Sequence, residues 1–278
     1  MLAQVRPPEE LLIIDQSPGD ESARLIPPMF DGACTRLIYV HDPGVTGLVD
    51  AKRVGSSRAA GEIVCFLEDD VILEPDYIAQ IERGFAERPD MLGSSGVITN
   101  PPSSVALYRS AHALFFRGIF KDGRPRVYHR ALHGAHDLIR SHVLSGGLSA
   151  WRRHVFDRVS FDTRNGFFMF EDMEFATRVV REMGPYLFVN PRARLEHNFS
   201  AINRDIHGVR QRRKTSEALV FYRKRKDWQG ARLGLTLAMT WWFFEAALQA
   251  VRLRSPGPIS GYFAGIGDGL RRPLLSTP

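Results

Sequence analysis

The sequence predicts an α/β fold, a mainly parallel sheet flanked by helices, followed by a helical C-terminal region. Three observations carry that expectation. Between Glu10 and Ile98, short runs of β-branched and aromatic residues alternate with segments of helical period, which is the pattern of repeated βα units. One of those runs, Glu62-Ile63-Val64-Cys65-Phe66-Leu67, ends abruptly in the carboxylates Glu68-Asp69-Asp70. The last third then reads as helical, with mixed basic and aromatic residues.

The elements follow in order. Residues 10–15, Glu-Leu-Leu-Ile-Ile-Asp, read as a buried strand closed by the turn Gln16-Ser17-Pro18-Gly19-Asp20. Residues 36–40 form a second strand, and residues 47–60 a helix leading through Ala60-Gly61 into the acid-tipped strand. Pro75 opens a helix over 76–87, where Tyr77, Ile78, Ile81 and Phe85 share one face. Residues 91–98 give a further strand. The stretch 100–141 reads as irregular, with His112, His129, His133 and His136 as loop residues lacking a ligand spacing supported by acids. Glu171-Asp172 opens a helix that runs to about Met183 and stops at Gly184-Pro185. Residues 186–189 and 193–197 read as two short strands. This divides the chain into an α/β domain over 1–200 and a helical region over 201–278.

Composition narrows the function. The 278 residues suffice for one large α/β domain, and the charge of +6 is concentrated between Arg204 and Lys226. A basic segment of this kind meets anionic lipid, a phosphate-bearing substrate or nucleic acid. No zinc-finger spacing or aromatic RNA-binding motif accompanies it, so nucleic acid is the weakest partner. Cys34 and Cys65 are far apart, with Cys65 in an apolar strand, which fits a reducing compartment. Leu233 to Phe244 carries no charge and holds Trp241 and Trp242, with Arg232, Arg252 and Arg254 around it. Indole and basic side chains suit a membrane interface. The alternative is a helix packed on the α/β domain.

The acids at the strand mouth have two readings. Carboxylates side by side repel and resist desolvation unless a cation lies among them, and hard oxygens suit Mg²⁺ or Mn²⁺ shared with phosphate. Alternatively they cap a strand and start a turn. Glu171-Asp172 is similarly two-sided, because acids in a helix's first turn are favoured by the dipole alone.

Read together, the chain order is more specific: a strand ending in Asp15, then Lys52, Glu68-Asp69-Asp70, Ser145-Gly146-Gly147, Glu171-Asp172 and His197. This order resembles a family 2 glycosyltransferase with the GT-A fold, from about Glu10 to Ser200. The resemblance implies that Asp15 and Asp20 contact the base and ribose of a nucleotide-sugar donor, and that Lys52 lies toward its diphosphate. It assigns Glu68-Asp69-Asp70 to the family's DxD motif, with Asp70 and Glu68 toward the metal and Asp69 toward the ribose. His197 would add a nitrogen ligand, and Ser145-Gly146-Gly147 would lie against the donor sugar. Asp172 would be the general base of an inverting transfer, with Glu171 orienting it or the acceptor. Relatives carry a further βα unit ahead of the strand ending at Asp15, whereas nine residues precede it here. Either the start lies upstream or the nucleotide pocket is reduced. Gln211-Arg212-Arg213-Lys214 does not match the motif of processive relatives.

The expected activity is metal-dependent, inverting transfer of a sugar to a glycan or lipid-linked acceptor at the cytoplasmic face of a membrane. Its competitors are a non-catalytic binding or scaffold protein of the same fold and a metal-dependent phosphohydrolase.

Overall fold

The computed structural model describes residues 1–101, 106–198 and 206–277. The expected domain boundary at 200/201, together with Ser200 and Arg204, lies outside the described residues. In chain order the elements are β1 (Glu10–Asp15), α1 (Glu21–Leu25), β2 (Arg36–His41), α2 (Gly47–Arg58), β3 (Ile63–Cys65), β4 (Val71–Leu73), α3 (Tyr77–Glu87) and β5 (Gly93–Ile98). They continue with α4 (Ala106–Phe115), α5 (Arg124–Leu132), β6 (Ile139–Ser141), β7 (Ser149–Arg152), α6 (Glu171–Met183) and β8 (Leu187–His197). Three helices close the order: α7 (His207–Arg223), α8 (Ala231–Leu253) and α9 (Gly257–Arg271).

The parallel pairing expected from sequence holds for β1 with β2 and for β5 with β8. The other pairings are antiparallel, so the central sheet, ordered β3-β7-β5-β8-β4 with β6 also on β8, is mixed. Strands β4, β6 and β7 carry these antiparallel pairings, and each is three or four residues long.

The two short strands expected over 186–197 form one strand instead. In β8, Leu187 and Val189 point into the larger core and Phe188 into the smaller one, as a period of two requires. Beyond Pro191 the parity reverses, and Ala193 and Leu195 join the smaller core. The β5–β8 register shifts between Ser95 and Val97, opposite this point. The irregularity absorbs the proline and turns the strand's end toward the acids.

Helix α3 covers one face of the sheet with Tyr77, Ile81 and Phe85. The opposite face is covered by α6 and by an aromatic core that includes Phe120, Phe170, Phe221 and Trp242. The stretch 100–141, expected to be irregular, contains α4 and α5. His112 lies in α4, its ring stacked on Phe116 with centroids 4.0 Å apart. It is a core residue rather than a loop residue.

The basic run is also differently employed. Arg212 pairs with Asp268, Lys214 with Glu245, Lys224 with Asp162 and Arg225 with Glu174. Arg223 donates to the carbonyls of Gly269 and Arg272. Lys214, Lys224 and Arg225 are thereby held against neighbouring elements, while the Arg212–Asp268 pair lies on the surface. Helix α8 buries Ala231, Gly234, Ala238, Trp242 and Ala246 at helical spacing and leaves Leu233, Phe244, Leu248 and Val251 exposed. No helix among the described residues is long and apolar enough to cross a membrane.

Candidate active site

The acid-tipped strand ends at Cys65, and the chain turns through Glu68-Asp69-Asp70 into β4. Strand β4 pairs with the end of β8, setting Val71 opposite His197. The main-chain N–H of Asn198 donates to the Asp70 carbonyl at 2.8 Å. This pairing brings a histidine more than a hundred residues away to the acids. Its Nε2 lies 3.0 Å from Asp70 Oδ1 and 3.1 Å from Glu68 Oε2. Donor atoms of Glu68, Asp70 and His197 all lie within 4.8 Å of one another.

Burial pushes the Glu68 carboxyl up, the His197 charge opposes the rise, and the charges of Asp70 and Asp69 add to it. Two carboxylates and an imidazole converging in this way fit a divalent cation that accepts oxygen and nitrogen ligands. A cation there would relieve the repulsion that raises Glu68.

A second charged group lies behind the first. Lys52, on α2, donates to Glu171 Oε1 at 2.7 Å, and both side chains are buried at 5% and 7% exposure. Burial raises the Glu171 carboxyl, Lys52 opposes this, and Asp172 reinforces it. Lys52 therefore ends at an internal carboxylate, where the sequence placed it toward a diphosphate.

The turn Ser145-Gly146-Gly147 separates the two groups. A Cβ at Gly147 would lie 2.1 Å from Glu68 Oε1, and one at Gly146 would lie 2.0 Å from Glu171 Oε1 and 2.7 Å from Lys52 Nζ. The glycines are thus required by acidic side chains of the protein itself. Glu68 N–H donates to the Gly147 carbonyl at 3.1 Å, fixing the turn to the acids.

Asp172 begins α6 beside Glu171. Its Oδ1 accepts from the Met173 main-chain N–H at 2.6 Å, and its Oδ2 accepts from Arg124 Nη1. Arg124 is itself held by Asp122, with Nη2 to Oδ2 at 2.8 Å. Burial works to raise the Asp122 carboxyl, but the Arg124 charge and hydrogen bonds outweigh it and hold the group low. Nearby, Tyr128 on α5 accepts from the Ser145 N–H at 3.2 Å and shares a 2.6 Å hydrogen bond with Ser95 Oγ. Helix α5 thereby touches both the glycine turn and the Asp172 carboxylate.

The remaining expected residues lie apart from these clusters. Asp15 ends β1, where its Oδ2 accepts from the Tyr39 hydroxyl at 2.5 Å and its Oδ1 from the Ser17 N–H at 2.9 Å. These hydrogen bonds hold its carboxyl down at about 2. Asp20 is an exposed partner of Arg24 at the start of α1, and Asp69 is exposed in the turn between Glu68 and Asp70.

Sequence reasoning missed Asp122, Arg124, Tyr128 and Glu217. The first three follow a legible signal, since Asp122-Gly123-Arg124-Pro125 places a turn and then a proline at the start of a helix. Glu217 lies in a helix that also buries Gln211, Lys214, Thr215 and Ser216, so no local signal singles it out.

Comparisons with known proteins agree with this architecture. The family described as "Glycosyl transferase family 2" matches residues 1–159. No curated protein sequence matches. Among solved structures, similarity extends to the mannosyltransferase PcManGT from Pyrobaculum calidifontis in complex with GDP-Man and Mn²⁺. That match has a TM-score of 0.58 and 16% identity, over 97% of this chain and 80% of the other. S. aureus TarS 1-349 aligns with a TM-score of 0.62 and 11% identity over 97% and 74%. GalNAc-T7 with UDP, GalNAc and Mn²⁺ aligns at 0.55 and 15% over 89% and 52%. The matched family spans more than half of the chain, and the fold is shared with GT-A enzymes. The chain belongs to glycosyl transferase family 2 and is a glycosyltransferase.

Proposed function

We propose that the chain moves a sugar from a nucleotide-sugar to a hydroxyl of a glycan or lipid-linked acceptor, with inversion, and that it depends on Mg²⁺ or Mn²⁺. One observation carries the reading: Glu68, Asp70 and His197 converge at the mouth of the sheet, and the turn at Gly146 and Gly147 lies directly between them and Glu171. Two of the structural relatives, described as complexes with GDP-Man and Mn²⁺ and with UDP, GalNAc and Mn²⁺, support the donor class and the ion.

Glu68, Asp70 and His197 would hold the cation, which when bound supplies neutralising charge to the departing diphosphate. Asp15, Asp20 and Asp69 are assigned to the nucleoside, and Ser145, Gly146 and Gly147 to the donor sugar. Lys52, closed on Glu171, contributes positive field on the diphosphate side. Asp172 accepts the proton of the acceptor hydroxyl as its oxygen bonds to the anomeric carbon. The bond from that carbon to the phosphate oxygen breaks, and its electron pair leaves with the nucleoside diphosphate. Arg124 pairs with the Asp172 carboxylate and orients it at the start of α6.

The test is release of nucleoside diphosphate from a panel of nucleotide-sugars by the full chain, with Mn²⁺, with Mg²⁺ and with chelator. Donor-selective release that chelator stops is the expected result. Nucleotide binding without turnover would favour the non-catalytic reading, and phosphate release from simple esters the phosphohydrolase reading.

We further propose that α8 and α9 rest on an anionic membrane surface at its cytoplasmic face. Supporting this are exposed Phe244, Leu248, Val251 and Phe263, with exposed Arg252 and Arg254 beside them. The intact chain should float with anionic vesicles, and Phe244→Ser with Phe263→Ser should abolish flotation at unchanged secondary structure. Flotation equal to the unaltered chain would remove this proposal.

A further inference from the structure

Helix α6 begins with the candidate base, yet its N-cap residue is Phe170, which has no polar side chain to satisfy the open end. The main-chain groups just before it are satisfied from elsewhere. The N–H groups of Phe168, Met169 and Phe170 donate to one oxygen, Glu217 Oε2, at 3.0, 2.8 and 3.1 Å. Successive N–H groups converging in this way form a concavity that selects an anion, and here the anion is a side chain from α7. Glu217 is 1% exposed. Its other oxygen has no hydrogen-bond partner among the described residues, so the accepting load falls on Oε2. Burial pushes the carboxyl up to about 7 against the three hydrogen bonds and the Arg213 charge, which lower it.

The grip is reinforced by side chains. Arg213 lies over the Phe168 ring at 4.8 Å, and Phe170 packs on Phe221 of α7 and Trp242 of α8 at 5.9 and 5.7 Å. Two residues beyond the last of these N–H groups stands Asp172.

We propose that Glu217 is a positioning residue for the transfer reaction: it fixes the segment 168–170 and thereby sets where α6 starts and where Asp172 points. The C-terminal helices would then complete the catalytic centre. This inference rests on the assignment of Asp172 as base.

The test compares Glu217→Ala, Glu217→Gln and Glu217→Asp in the full chain by two readouts. Amide hydrogen exchange over residues 168–172 is expected to speed up by about tenfold or more in Glu217→Ala and to stay near the unaltered rate in Glu217→Gln, which keeps an accepting oxygen. With a donor that the unaltered chain turns over, Glu217→Ala should lower kcat by about 10–100-fold with donor KM changed by less than about threefold, the signature of a misplaced group. Glu217→Gln should restore most of kcat. If Glu217→Ala does not fold, Glu217→Asp, whose oxygen is withdrawn by one methylene, takes its place and should show the same kcat loss.

Unchanged exchange over 168–172 in both shortened variants would overturn the proposal. So would unchanged kcat, or a Gln variant as impaired as Ala in both readouts. Absence of turnover in the unaltered chain would instead count against the glycosyl-transfer assignments, and the exchange comparison would still decide whether Glu217 anchors the segment.

Discussion

Lys52→Met isolates the energetic consequence of the closed pair behind the glycine turn. Lys52 and Glu171 are 5% and 7% exposed and 2.7 Å apart, so the substitution removes the counter-charge hydrogen-bonded to Glu171 while leaving its carboxylate buried. Breaking a buried pair from one side costs about 3–5 kcal/mol, against about 0–1 kcal/mol for an exposed one. At about 2–4 °C per kcal/mol for a chain of this size, the unfolding midpoint should fall by about 6–20 °C. The sign of the pH dependence follows from the raised Glu171 carboxyl. Between the ordinary carboxyl pKa and the raised one, the folded state binds more protons than the unfolded state, so stability falls as pH rises through that window. The deficit of Lys52→Met should therefore be smaller at about pH 5 than at about pH 7.5. Adding Glu171→Gln should recover more than half of the loss, because the uncompensated charge is gone. Thermal denaturation followed by circular dichroism at a fixed scan rate measures all three. A midpoint within about 2 °C of the unaltered chain would mean a pair no stronger than a surface one, and would refute the reasoning.

Asp172→Asn should leave donor binding within about twofold and lower transfer by about two to four orders of magnitude, read by calorimetry and by turnover of the same donor. Full activity would make Asp172 a helix-start acid only. Tyr39→Phe removes the first of the groups that hold Asp15 at about 2, so the Asp15 carboxyl should titrate higher. The stabilising contribution of that hydrogen bond, present above the ordinary Asp value and lost as pH falls toward about 2, should vanish. A carbon-13 titration of the Asp15 carboxyl that does not move would contradict the assignment.

The parts legible in the sequence were those whose chemistry is local. The strand ending in Glu68-Asp69-Asp70 and the helix starting at Glu171-Asp172 each show composition, period and boundary within about a dozen residues. His197 was nameable only through the chain order of a family, since its approach to Asp70 depends on β4 pairing with β8. Arg124 and Glu217 were invisible for the same reason: each acts on residues 47–49 positions away, and no local spacing encodes such a pairing. The histidines of 112–136 obscured the helical period of α4 and α5, although Pro125 marks the start of the second. Composition misled most at the basic run. Arg212, Lys214, Lys224 and Arg225 read as a charged surface, yet each has an acidic partner that only the packing of the C-terminal helices supplies.

The central claim is that Glu68, Asp70 and His197 hold a divalent cation that a nucleoside diphosphate shares. Titrating the full chain with Mn²⁺ and following the free-ion electron paramagnetic resonance signal, with and without GDP or UDP, tests it directly. The account predicts one Mn²⁺ per chain, bound about tenfold or more tightly when the nucleotide is present, because phosphate oxygens complete a coordination shell that the protein leaves open. Asp70→Asn should lose that ion at an unchanged unfolding midpoint. Equal Mn²⁺ uptake by the unaltered chain and Asp70→Asn, or uptake indifferent to nucleotide, would contradict it.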